Sequence, residues 1–77
     1  MKHFLDFVVR SLVDNPDDVQ ISEVTREGET IYRVSLHPSD VGLVIGKGGR
    51  TIGSIRSLIN AATKGSEHLA VEVVENS

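Results

Sequence analysis

The residues Gly46-Lys47-Gly48-Gly49, with Arg50 directly after them, have the types and spacing to hold an anion. Glycines carry no Cβ, so backbone N–H groups can approach a phosphate oxygen closely. Lys47 and Arg50 add positive charge on either side of the close approach. An apolar stretch ending in Val44-Ile45 leads into the loop, and the helical pattern Ile52, Ile55, Leu58, Ile59 and Ala62 begins as it ends. A helix starting near Arg50 would turn its positive dipole end and its first unbonded N–H groups towards the same anion. The expectation is a phosphate-gripping loop, in which three glycines exceed what a simple turn requires.

Other chemistries fit the chain poorly. A nucleotide-binding P-loop needs four residues between its first glycine and the Gly-Lys pair, then Ser or Thr for magnesium. Here only three residues separate Gly42 from Gly46, and Gly48 stands where the hydroxyl belongs. A dinucleotide fingerprint also fails, because Gly46 and Gly48 are followed by Arg50-Thr51 and no glycine until Gly53. His3, His37 and His68 are far apart with no ligand spacing, so they read as surface or packing residues and no cofactor is expected. No serine has a histidine in a catalytic arrangement, and the chain does not read as an enzyme.

The loop needs a scaffold, and the rest of the chain supplies one. Phe4, Leu5, Val8, Val9 and Leu12 share a stripe on a helix predicted over about residues 3–14, which Asn15-Pro16 would stop. Phe7 falls ~140° from the centre of that stripe at 100° per residue, so it is either tucked under a neighbour or exposed for a partner. An alternating run from Val19 to about Arg26 and a second from Thr30 to His37 read as strands around the turn Glu27-Gly28-Glu29. On the second strand Tyr32, Val34 and Leu36 share one face, opposite Arg33 and Ser35.

Pro38 suits the first turn of a short helix, with Ser39 and Asp40 placed to favour its positive end. The helix after the loop would end at Lys64-Gly65, and Leu69 to Val74 alternate as a closing strand. Two helices between the second and third strands form a crossover, which lets those strands run parallel. The expected fold is α+β in the order α-β-β-α-α-β, with a three-stranded mixed sheet in strand order one, two, three and all helices on one face.

Seventy-seven residues make one domain over 1–77, of ordinary globular composition at 39% hydrophobic and 25% charged. The chain has no cysteine, which suits a reducing compartment. No apolar run approaches the ~20 residues of a membrane span, and Asp6 and Arg10 interrupt any signal-peptide core. Starting at Met1 without a tag, it is expected to be a whole small cytoplasmic protein. The net charge of −3 is unevenly spread. Between Val41 and Ser66 stand Lys47, Arg50, Arg56 and Lys64 with no acid, a local charge of +4, against −7 for the remainder. Such a basic band on an acidic body is an electrostatic footprint for a polyanion.

Residues 44–55 resemble the signature of the KH domain, a single-stranded nucleic-acid module whose G-x-x-G loop clamps a short run of backbone. The order of elements resembles the type II KH arrangement, and the chain over nearly its whole length resembles stand-alone bacterial KH proteins of the KhpA (YlqC-like) family. That resemblance implies single-stranded RNA as ligand, post-transcriptional control, and a link to cell division or envelope growth. It also implies self-dimerisation and a larger KH-containing partner of the KhpB (Jag/EloR) type. Carried onto this chain, Lys47 and Arg50 would contact phosphate while Gly46, Gly48 and Gly49 cradle it. Ile45 and Ile52 would wall an apolar groove for bases, and Arg56 and Lys64 would extend the positive track. Gly53, inside a helix at some cost in propensity, marks close approach either of a neighbouring helix or of ligand. With Phe4, Phe7 and Tyr32 all outside the loop segment, recognition over ~4 nucleotides would rest on aliphatic contacts and hydrogen bonds. A protein-interaction module with RNA secondary, or a single-stranded DNA binder, are the alternatives.

Overall fold

A computed structural model describes residues 1–63 and 68–76. The chain forms α1 (Lys2–Leu12), β1 (Gln20–Arg26), β2 (Glu29–Leu36), α2 (Val41–Ile45), α3 (Arg50–Thr63) and β3 (His68–Glu75), with 3-10 turns at Pro16–Asp18, Pro38–Asp40 and Lys47–Gly49. The sheet order is β1-β2-β3. β1 and β2 are antiparallel with Ile21 opposite Val34, and β2 and β3 are parallel with Tyr32 opposite Val71. The expected α+β order and mixed sheet are therefore present.

β2 is the central strand, and its alternation fixes the core. Tyr32, Val34 and Leu36 are buried, as are Leu5 and Val9 of α1, Val44 of α2, Ile52, Ile55 and Ile59 of α3, and Val71 of β3. These side chains form one apolar cluster on the helix-covered face of the sheet. Burying an aliphatic side chain of this kind contributes about 1.5–3 kcal/mol. On the other face Arg33 and Glu72 form an exposed ion pair at 3.3 Å, which contributes little against solvent.

Three expectations are corrected or widened. First, α1 ends at Leu12 rather than near 14, and Val13 is already extended. The buried carboxylate of Asp40 takes the N–H groups of Asp14 at 3.1 Å and Asn15 at 3.0 Å. Those amides therefore leave the helical ladder before Pro16 is reached. Second, Asp40 stands at the entry of α2 as expected, but its role is wider: it is 1% exposed and joins the end of α1 to that entry. Third, the apolar stripes are narrower than expected. Phe4, Leu12 and Leu58 are exposed, as is Ala62. Periodicity puts residues on a common face, but only the neighbouring elements decide how much of that face is covered.

Arg10 was not singled out by its type, yet it ties three segments together. Its guanidinium pairs with Asp6 at 3.0 Å and donates to the carbonyls of Pro16 at 2.6 Å and Val19 at 3.3 Å. At the same end of the sheet, the Asn76 side chain donates to the Asp18 carbonyl at 2.9 Å, so the segment leading into β1 is held from both α1 and the end of β3.

Candidate nucleic-acid interface

The glycine loop is a single 3-10 turn between α2 and α3, and its glycines serve different purposes. Gly46 has φ 76° and ψ 172°, a region essentially open only to glycine. A Cβ there would also stand 2.8 Å from the Thr51 backbone nitrogen. Gly46 is therefore required by packing against the start of α3. Gly48, with φ 64° and ψ 20°, has open space where a Cβ would project. Only its left-handed backbone constrains it.

The backbone donors of the loop divide in the same way. The Gly46 N–H donates to the Gly42 carbonyl at 2.8 Å and the Gly49 N–H to the Gly46 carbonyl at 3.2 Å. The Arg50 N–H donates to the Lys47 carbonyl. The N–H groups of Lys47 and Gly48 have no partner among the described residues. Both residues are exposed, and so is Arg50. Two open amides at the start of a 14-residue helix, beside two cationic side chains, make an anion-accepting corner.

An apolar groove of about 470 Å³ opens next to this corner. Ile45, Ile52 and Arg56 line one wall, and Val71, Glu72, Val73 and Val74 line the other. Ile45 and Ile52 thus lie on the same groove, Ile45 exposed and Ile52 at the edge of the core that holds Ile55. The β3 wall was not read from sequence. The expected strand order leaves β3 as an edge, which was the available signal. Arg56 lies at the groove, and its Nη2 donates to the Val71 carbonyl at 3.0 Å.

Gly53 does not line this groove. With Arg50, Ser54, Ser57 and Leu58 it lines a separate open hollow of about 750 Å³ on the outer side of α3. A Cβ at Gly53 would meet nothing within 4 Å, so close packing against another helix of this chain is not its reason. Leu58 is 51% exposed on the same surface. Lys64, the last member of the expected positive track, lies outside the described residues. His37 has a local packing role: its Nδ1 accepts from the Ser39 N–H at 3.1 Å.

Comparison with known proteins agrees with this geometry. Residues 2–74 match the family model described as KhpA/KhpB, KH domain. A protein of Clostridium acetobutylicum named RNA-binding protein KhpA is 45% identical over 75 residues, covering 96% of this chain and 100% of that protein. Proteins of the same name from Chlamydia pneumoniae and Thermotoga maritima are 40% identical over 76 residues and 38% over 74. The first alignment covers 97% of both chains, and the second covers 96% of this chain and 99% of the relative. By the family-model match and the near-full-length similarity, the chain belongs to the KhpA/KhpB KH-domain family.

Proposed function

We propose that this chain is a single-stranded RNA-binding protein that works as one KH unit over residues 1–77. A backbone phosphate sits on the Lys47 and Gly48 amides, with the Lys47 and Arg50 side chains beside it. The following bases lie in the groove between Ile45-Ile52 and β3. The observation that carries this reading is the pair of open amides at the start of α3, directly beside an apolar groove. An edge strand also offers backbone donors and acceptors to bases. Aliphatic walls and few hydrogen bonds give low sequence selectivity, in keeping with a cytoplasmic post-transcriptional regulator or RNA chaperone linked to cell division and envelope growth. The relatives named RNA-binding proteins support the same ligand.

Titration of a short RNA against salt tests the reading. With two to four phosphate contacts, log K falls against log salt with a slope of about −0.7 per contact. Affinity that is indifferent to salt removes Lys47 and Arg50 from the account. Parallel titration with DNA of the same sequence decides between the two nucleic acids.

A second reading, self-association or pairing with a KhpB (Jag/EloR-like) protein, is favoured by Phe7, which is 71% exposed on α1. A small domain gains by sharing apolar surface. Sedimentation of wild type and Phe7→Ser over a concentration range is expected to show a dimer weakened by the substitution. A wild type that stays monomeric at high micromolar concentration rules out the homodimer.

A further inference from the structure

We infer that the Arg56–Val71 contact is the end-stop of the groove, fixing how many nucleotides the site accepts, rather than one more phosphate contact; this rests on the RNA-binding reading above. Two hollows lie in line between α3 and β3. The larger, about 470 Å³, adjoins the glycine loop. The smaller, about 60 Å³, is lined by Arg56, Ile59, Asn60, Leu69 and Val71. Among the described residues, only Arg56 and Val71 line both. They are also the two residues joined by the 3.0 Å hydrogen bond from Nη2 to the carbonyl. The bonded pair is therefore the partition between the hollows.

The dimensions give the partition a consequence. From Arg50 to Arg56 the helix rises about 9 Å at 1.5 Å per residue, and from Val74 to Val71 the strand spans about 10 Å. Bases stacked about 3.4 Å apart would place roughly three between loop and partition. Beyond it, the second hollow is much the smaller, about 60 Å³ against about 470 Å³. Removing the Arg56 head joins the two hollows. Four more helical residues to Asn60 add about 6 Å, enough for roughly one to two further bases. The Val71 carbonyl becomes free to accept from it.

The bond also separates this role from a phosphate contact. A guanidinium committed to a main-chain carbonyl on the β3 edge is directed across the groove, whereas Lys47 and Arg50 border the open amides of the loop. Glu72, the acid lining the same groove, is paired with Arg33 at 3.3 Å. Among the described residues it has no ion pair with Arg56.

Arg56→Met keeps the aliphatic stem and removes the head. Affinity for a ladder of oligo(rA) lengths, corrected for the number of binding registers, rises with length to a plateau. The variant is expected to reach its plateau about one to two nucleotides later than wild type, with an unchanged salt slope. A plateau at the wild-type length overturns the end-stop, as does a slope shallower by about 0.7, the signature of one lost phosphate contact. If Arg56→Met folds poorly by circular dichroism, Arg56→Leu, which also lacks the donor head, carries the same test with the same expected shift. A wild type that binds no oligonucleotide overturns the RNA-binding reading and the end-stop together. A wild type that binds, with variants that plateau unchanged, overturns the end-stop alone.

Discussion

Two junctions after helices in this chain offer backbone N–H groups to an anion, and they resolve that demand in opposite ways. After α1, the amides of Asp14 and Asn15 meet the Asp40 carboxylate at 3.1 and 3.0 Å, and the Asn15 side-chain amide joins them at 3.1 Å. After α2, the amides of Lys47 and Gly48 meet no acceptor among the described residues. The first junction holds its anion internally, with Asp40 1% exposed; the second lies at the surface. A buried carboxylate left unpaired is costly, so Asp40, 1% exposed, requires the amides of the α1 junction. Exposed donors are solvated while they wait, so the loop can stand open until a phosphate replaces water. Similar backbone demands thus give an internal tie in one place and open amides in the other, where the phosphate site is proposed.

The largest expected effect comes from converting the open junction into a filled one. Replacing Lys47 and Gly48 by aspartate brings carboxylates to the open amides and is expected to abolish RNA binding. The fold should survive, since a Cβ at Gly48 meets nothing within 4 Å and aspartate tolerates left-handed backbone. Circular dichroism and a binding titration on one sample check both halves. A folded variant with normal affinity would place the ligand elsewhere and dissolve the comparison.

Next in size is the reverse experiment, emptying the filled junction. Asp40→Ala leaves the Asp14 and Asn15 donors without their acceptor and cuts the tie between α1 and α2. A marked fall in melting temperature is expected, with RNA affinity retained at temperatures where the variant is folded. Loss of affinity without loss of stability would show that the two junctions are not independent.

Gly46→Ala comes third. Forcing a side chain into φ 76° and ψ 172° against the start of α3 is expected to cost about 1–3 kcal/mol in urea unfolding. RNA affinity should fall with it, because the turn carrying Lys47 and Gly48 must shift. Wild-type stability in this variant would mean that Thr51 yields freely.

The smallest effect is in acid. Burial works to raise the Asp40 carboxyl, but the hydrogen bonds from the Asn15 side chain and the Asp14 and Asn15 backbone, with the nearby His37 charge, hold it below its ordinary 3.8. A carboxyl lowered on folding stabilises the native state above its unfolded value, about 3.9. That contribution is lost as pH falls through the lower folded value. Urea midpoints should therefore decline below about pH 4 in wild type and less steeply in Asp40→Asn. Equal slopes would remove Asp40 from the acid response.

Locally determined features were legible in the sequence. The strand β2, with Tyr32, Val34 and Leu36 inward, follows from alternation alone, and the break at Gly46–Gly49 with a helix from Arg50 follows from glycine and periodicity. The crossover rule then gave the parallel pairing of β2 with β3. What stayed hidden depends on partners distant in the chain. Asp40 ends α1 from 26 residues away, where only Asn15-Pro16 offered a local reason to stop. The division of labour within the loop, Gly46 packed by Thr51 and Gly48 open, depends on how α3 returns over the turn.

The chemistry of the site was therefore set by residue type and spacing: glycines for backbone approach, Lys47 and Arg50 for charge, Ile45 and Ile52 for an apolar wall. Tertiary structure alone decided which amides remain unbonded, that Val71 to Val74 complete the groove, and that the Arg56 head rests on a carbonyl across it. It also left Phe4, Phe7 and Leu58 exposed. Sequence periodicity assigns each side chain a direction from its own element, because that direction follows from local backbone geometry. What stands in that direction is another element, and its arrival depends on the packing of the whole chain.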